Sequence, residues 1–424
     1  MLAMFWAFSG ADSTKRNHKF FDLNYGLELF GTFNQKSEVS VIEGFASARL
    51  GGFVVSAGKR KEVFGLLDTL LSTGSVAWSG NALPLPKVQL ATNGFLEVPF
   101  TKRLFAFQAS FAHGWLGPTR INPNYFRNST DQYGHYVPTY LHQKTFYGRF
   151  GKPTWKVNLY GGFSDFAFWG NENIIWNPGF DLSLTESYRR VVLGENWNGS
   201  KVGNHFGSID LAASIKGKTR DVFLYRQSIF DTGSLLNAFN LDGLTGVSIQ
   251  NKRPKSNSIF VKKLLVEYYY SNDQVDPLVV AGGGNNDYFN HYIYLDGWAY
   301  RSRLLGTPLS VIDRDLATNA KNENFRGGYI ANNRVYALHL GILGSIGKST
   351  QFVFKTSVSR NLGTYAAAFN PARYQLSSFL SLSKHLKWLK GTEGSISLAA
   401  DVGNLRLSTV GCMVGIKKRG FIGF

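Results

Sequence analysis

From residue 21 to residue 29 every second position is large and apolar. Phe21, Leu23, Tyr25, Leu27 and Leu29 are separated by Asp22, Asn24, Gly26 and Glu28. Near the other end Ile396, Leu398, Ala400 and Val402 alternate with Ser395, Ser397, Ala399 and Asp401. A period of two places alternate side chains on opposite faces of a strand. The pattern recurs along the whole chain and predicts strands near 20–34, 37–50, 51–61, 88–99, 104–116, 140–150, 155–168, 204–217, 220–230, 244–251, 259–271, 288–304, 334–347, 350–362, 374–386, 393–403 and 408–418, with one more in 1–10. Gly217-Lys218 and Gly347-Lys348-Ser349 read as tight turns. The polar or Gly-rich stretches 117–139, 170–203, 272–290 and 306–333 read as surface loops or lumen inserts. Helical spacing occurs at 62–71, where Val63, Leu66, Leu67, Leu70 and Leu71 predict one short helix acting as a plug or lid.

Strands recurring without helical segments between them leave two fold classes, a soluble all-β fold and a closed barrel in a bilayer. The chain has 424 residues, too many for one sandwich, and no Pro-rich, Ser-rich or charged linker divides it. Its 34 Phe, 20 Tyr and 9 Trp are what interfacial girdles require, and only 17% of its residues are charged, as suits a wall half covered by lipid. No apolar run of helical spanning length occurs, so any membrane crossing is by strands. The expected fold is therefore all-β, a transmembrane antiparallel β-barrel of about 18 strands, 16 to 18, with long loops and a short helix in or over the lumen. Residues 20–424 form the single barrel and 1–19 an N-terminal segment or partial first strand. Residues 1–10 have an apolar core without a preceding basic residue, so the expectation is a strand whose leader lies upstream.

Charge adds a class of partner. The chain has 46 basic against 28 acidic residues, a net +18, which attracts acidic polysaccharide, lipid phosphate or lipopolysaccharide. No nucleic-acid-binding motif accompanies it, so nucleic acid is not an expected partner. Lys156, Lys263 and Lys355 fall on polar strand faces and are expected in the lumen. Aromatic rings stack on sugar faces while amide and guanidinium groups bond hydroxyls and carboxylates. Tyr225-Arg226-Gln227, the run from Trp298 to Arg303, and Asn332-Asn333-Arg334 have that composition. The candidate glycan-binding residues are Lys59, Arg60, Lys61, Arg149, Tyr225, Arg226, Trp298, Arg301 and Arg334, in a protein expected to be monomeric. No catalytic or metal-ligating set is proposed and no cofactor is expected. Ser381-Leu382-Ser383-Lys384 matches S-x-x-K but sits in a plain alternating strand, and His113, His142, His205, His291 and His339 lack ligand spacing. The single cysteine, Cys412, lies on an apolar face with Val410, Val414 and Ile416. An anion-selective porin is the alternative function on these grounds.

The stretch 58–88, GKRKEVFGLLDTLLSTGSVAWSGNALPLPKV, resembles the Wzi family of outer-membrane capsule-assembly proteins. Gly58, Arg60 and Gly65 match its basic strand and Gly-containing segment. Ser79, Asn81, Ala82 and Pro84 match the motif that follows, with Gly80 and Leu83 standing where an Asn and an Arg are expected. The stretches starting at Tyr140, Gly203, Val222 and Gly411 are similar to the same family. The resemblance implies an 18-stranded barrel of the Gram-negative outer membrane, a lectin-like anchor for capsular polysaccharide that assists capsule assembly without catalysis.

Overall fold

A computed structural model describes residues 2–11, 20–33, 38–122, 136–175, 182–197, 200–231, 241–252, 258–274, 286–317, 330–386 and 391–418. The chain begins with β1 (Leu2–Ala11), β2 (Phe21–Phe33), β3 (Glu38–Leu50) and β4 (Phe53–Lys59). After a long irregular segment come β5 (Lys87–Thr92), β6 (Leu96–Glu97), β7 (Phe105–Arg120), β8 (Tyr136–Phe150) and β9 (Val157–Trp169). A loop region follows with α1 (Glu172–Ile175), α2 (Leu184–Leu193) and the small pair β10 (Asn196–Trp197) and β11 (Ser200–Lys201). The wall resumes as β12 (Asn204–Lys216), β13 (Arg220–Phe230), β14 (Gly243–Asn251) and β15 (Ile259–Tyr270). A second insert contains β16 (Ala299–Tyr300), β17 (Arg303–Leu304), β18 (Val311–Ile312) and β19 (Ile330–Asn332). The chain closes with β20 (Val335–Ile346), β21 (Thr350–Gly363), β22 (Ala368–His385), β23 (Thr392–Gly403) and β24 (Thr409–Lys418).

Eighteen of these segments form one antiparallel sheet. Each pairs with the wall strand that follows it in sequence, from β1 with β2 to β23 with β24. Because β5 and β6 both lie against β7, the described wall has 17 positions, 18 segments less one. The molecule is a β-barrel of porin size. One end carries short turns, such as Gly51-Gly52 between β3 and β4, Gly217 to Thr219, and Gly347 to Ser349. The other carries the long connections, which face outward in barrels of this class.

Alternation fixes the two faces. Leu23, Tyr25, Val55, Leu90, Phe146, Leu159, Leu211, Leu338, Leu376, Ile396 and Leu398 are exposed on the outer face, as a surface bathed in hydrocarbon requires. Ser208, Asp210, Gln227, Ser248, Glu267 and His339 point inward and are buried. Cys412 is exposed on the outer face of β24, opposite Leu398 of β23. Tyr270, Tyr336, Arg360 and Tyr374 are cross-strand partners in turn on β15, β20, β21 and β22 near the long-loop end. They form part of an interfacial girdle, with Tyr270 and Tyr336 5.1 Å apart edge to face and Arg360 5.8 Å from the Tyr336 ring.

Two expectations are corrected. Residues 62–71 form no helix; the Leu66 N–H donates to the wall carboxylate of Asp210, and the Leu70 and Leu71 N–H groups donate to the Asp68 side chain, so side chains take donors that a helix would have used internally. Residues 288–304 are not a wall strand. The left-handed backbone at Phe289, Gly297, Arg301 and Ser302 breaks the extended run, and the segment folds inside the barrel with only the β16–β17 hairpin regular. The concave side is partly filled by protein. Phe64, Leu67, Leu71, Trp78, Phe166, Phe206, Tyr288, Phe289 and Trp298 form a buried apolar cluster within the lumen, contributed by both inserts and by the inner face of β9 and β12.

Candidate functional site

The segment 60–86 leaves the wall after β4, crosses the lumen and returns to β5, held by wall side chains along its length. At its start Lys61 Nζ donates to Glu28 of β2 at 2.5 Å, and its backbone N–H donates to Glu43 of β3 at 2.5 Å. Further on, Leu66 N–H donates to Asp210 of β12 at 2.7 Å, a carboxylate that also accepts from Ser208 and Gln227. Asp68 accepts from the Leu71 N–H at 2.9 Å and from Ser248 of β14 at 2.7 Å, and pairs with Lys263 of β15 at 3.0 Å. His339 of β20 donates through Nε2 to the Leu71 carbonyl at 2.8 Å. Glu267 of β15 accepts from Ser72, from Thr73 and from the Tyr225 hydroxyl at 2.6 Å. On the return Val76 N–H donates to Gln227, and Lys87 of β5 bonds both Glu62 and Gln143.

Burial pushes the Asp68 carboxyl up, but the Leu71 N–H, the Ser248 hydroxyl and the Lys263 ammonium together hold it below its ordinary range. Gly65 has φ +93°, and a Cβ there would lie 2.0 Å from Gln227 Nε2. Only glycine lets the crossing segment pass this close to the wall.

The second insert seals the first from above. The Trp298 indole N–H donates to the Ala77 carbonyl at 2.8 Å, and its ring stacks on Phe168 at 4.2 Å between centroids. Ser79 and Thr307 add backbone bonds between the inserts, Ser79 N–H to the Leu305 carbonyl and Thr307 N–H to the Val76 carbonyl. Below the crossing segment remains a cavity of about 930 Å³ reaching the short-turn end at Asn93. Its walls present Asn24, Gln89, Gln108, Ser56, Ser110 and Thr145, with Arg49, Arg60 and Lys61 against Asp22 and Glu62. The Arg60 guanidinium lies 5.1 Å above the Phe45 ring at its edge.

At the opposite rim Arg334 bonds Asn272 Oδ1 at 3.1 Å and lies 4.1 Å above the half-exposed ring of Tyr365, whose hydroxyl donates to the Asn272 carbonyl at 2.5 Å. Guanidinium, amide and aromatic ring meet there on one surface.

The nine candidate residues therefore do not form one site. Arg60 and Lys61 line the lower cavity. Arg149 points inward near the short-turn end, 3.9 Å from Glu97. Tyr225 and Trp298 are buried in the lumen core and act as structural clamps. Arg226 shares the outer face with the exposed Leu224 and bonds Thr245 and the Leu241 carbonyl, and Lys59 is on the outer face too, paired in register with Gly44. Arg301 is exposed at the tip of the β16–β17 hairpin, and Arg334 at the long-loop rim. Of the family-type residues, Gly58 has φ +119° and a Cβ there would lie 2.2 Å from the Gly44 carbonyl oxygen. Ser79 is buried with its Oγ accepting from the Asn81 N–H, Asn81 is exposed, Ala82 is half-buried and Pro84 is buried. Lys263 and Lys355 face the lumen, whereas Lys156 is exposed in the turn before β9.

Asp68, Asp210, Glu267, Gln227 and His339, which hold the crossing segment, are absent from the sequence-based candidates. For Asp210 and Glu267 the signal was a carboxylate at an inward position between apolar residues of the outer face, as Glu267 stands between Val266 and Tyr268. Among the described residues no group of three or more His, Cys, Asp or Glu could hold a metal ion.

Comparison with known proteins places this geometry in a family. The family model described as capsule assembly protein Wzi matches residues 6–318. Among solved structures the chain is similar to Wzi of Escherichia coli, an outer-membrane protein described as a carbohydrate-binding β-barrel involved in group 1 capsule assembly. The TM-score is 0.60 at 15% identity, covering 98% of this chain and 77% of that one. OccK5 of Pseudomonas aeruginosa matches at a TM-score of 0.44 and 11% identity, covering 98% of this chain and 91% of that one. A search of curated proteins finds no match. The apolar outer face of the barrel is that of a wall bathed in lipid. The chain belongs to the Wzi family of capsule assembly proteins.

Proposed function

We propose that this barrel binds surface polysaccharide and retains it at the outer membrane during capsule assembly, as a binding protein without a catalytic step. The observation that carries the reading is the filled lumen. A wall of porin circumference whose interior is crossed, among the described residues, by an apolar, hydrogen-bonded layer offers surfaces to a ligand where an open channel would offer water, which supports binding over anion conduction. The E. coli relative's description as carbohydrate-binding supports the same class of ligand.

The outward-facing surface proposed for the glycan is the rim of Arg334, Tyr365 and Asn272, where a sugar face can stack while its hydroxyls or a carboxylate meet guanidinium and amide. Each such contact is weak, and repetition along a polymer supplies retention. Acidic capsular polysaccharide suits the basic balance of the chain.

Glycan-array binding of the wild type against Arg334→Ala combined with Tyr365→Ala tests the site. A loss of about tenfold or more is expected, from one ring stack and one charged contact; unchanged binding removes the rim from the proposal. Deleting the gene tests the function, with capsular polysaccharide appearing in the medium and not on the cell.

A further inference from the structure

The lower cavity carries a polar row that the lumen core does not use. Alternation turns Asn24 of β2, Ser47 of β3, Ser56 of β4 and Gln89 of β5 inward, and the register makes each the direct neighbour of the next. All four line the cavity of about 930 Å³ below the crossing segment, a volume within the range of about 300–1,000 Å³ found for small-molecule sites. Adjacent strands stand about 4.8 Å apart, close to the length of one sugar residue. The row therefore offers one amide or hydroxyl to each residue of an extended saccharide.

The row is not satisfied within the protein. Gln89 is 8% exposed, and its Oε1 is buried without a hydrogen-bond partner among the described residues. One step nearer the short turns, Asp22 Oδ1 is buried and unpartnered too, while Oδ2 of the same carboxylate lies 3.6 Å from Arg49. A buried acceptor left unpaired is costly, and a hydroxyl donor satisfies either one. The charges of the cavity point to a further group. Arg49 is held by Asp22, Lys61 by Glu28 and Glu62 by Lys87. Among the described residues Arg60 has no carboxylate partner. It is exposed, with its guanidinium 5.1 Å from the centroid of the Phe45 ring. Phe45 is the inward residue of β3 next to Ser47, which sets the free guanidinium beside the row. The ring lies against Gly26 of β2, where a Cβ would come within 2.5 Å of it, so the wall leaves room for this platform.

We infer that the lower cavity is a second saccharide site, for a short uronic-acid-containing oligosaccharide entering from the short-turn end. Asn24, Ser47, Ser56 and Gln89 take its hydroxyls, and Arg60 takes a carboxylate. Short turns of such barrels face the periplasm, so this site meets its ligand on the side opposite to the Arg334 rim. It goes beyond the rim proposal, sharing the class of ligand and none of the residues. The crossing segment and the apolar cluster lie between the two, and either can fail without the other.

Ser56→Cys in a Cys412→Ser background puts a single thiol into the row of the detergent-solubilised full chain. Saturating trigalacturonate is expected to slow its alkylation by a water-soluble maleimide about tenfold or more, since a bound oligosaccharide excludes the reagent. Adding Arg60→Gln should raise the half-protecting concentration about tenfold, the worth of one charge-assisted contact. The methyl-esterified trimer should protect the unmodified row as weakly as trigalacturonate protects the Arg60→Gln variant. Alkylation without ligand should run at the same rate in both proteins, which separates a lost contact from a lost fold. Arg334→Ala with Tyr365→Ala should leave the protection intact. A cavity that holds only solvent would show no slowing by trigalacturonate. That result, equal protection by the methyl ester, an unchanged half-protecting concentration in Arg60→Gln, or protection lost with the rim pair would each overturn the inference.

Discussion

Asp68 shows how one side chain decides the state of the lumen. Its carboxylate is buried, yet it accepts from a backbone N–H and a serine hydroxyl and faces the Lys263 ammonium. Its pKa is lowered in the folded state, so its stabilisation is fully present above the ordinary carboxylate range and is lost as pH falls through the folded value. Hydrogen-exchange protection of residues 66–76 is expected to hold steady from pH 8 to about 5 and to fall below about 4. Asp68→Asn should abolish that step and cost about 3 kcal/mol, since it leaves Lys263 without its partner. A variant whose protection follows the wild-type pH curve would assign the step to another group. At this scale the sequence is legible in part. Arg60 and Arg334 stand out by composition and do reach cavity and rim, whereas Asp68, inside the segment that reads as a short helix, gives no signal because its partners come from strands about 180 and 195 residues further on. Trp298 misleads in the opposite way, since a tryptophan among arginines reads as a sugar platform until its indole N–H is seen bonded to Ala77.

At the scale of elements, periodicity carries far where a strand has lipid on one side. The alternation of β2 and β23 is visible because hydrocarbon demands an unbroken apolar face. It carries less far where both faces are buried. The spacing in residues 62–71 suits a helix, and the aromatic richness of 288–304 suits a strand, but bonds to wall side chains and between the two inserts set the backbone of both segments. The crossing segment is an irregular strap, so its closure depends on wall side chains. Glu267 holds Ser72, Thr73 and Tyr225 at once. Glu267→Gln combined with Asp68→Asn is expected to free the strap and raise single-channel conductance in planar bilayers by at least an order of magnitude over the wild type. Wild-type conductance of porin size would refute the closed lumen itself.

For the whole molecule, the two faces of one sheet divide the consequences of substitution. Leu398 sits on the outer face midway along β23, so Leu398→Lys is expected to cost about 2–4 kcal/mol in folding into lipid vesicles. Ser377→Lys, on the inner face of β22 beside Asp401, should cost less than half as much, because the lumen offers water and a counter-charge. Equal costs for the two would mean that the faces are assigned the wrong way round.

The strap also imposes an order on biogenesis. Its residues emerge within the first fifth of the chain, but Leu71 finds His339 only across 268 residues. In any assembly intermediate that lacks β20 the tether is therefore still loose at Leu71, and it cannot settle there until β20 joins. Assembly intermediates should accordingly remain leaky and vulnerable to proteolysis at residues 62–79, and tightening should coincide with the docking of β20.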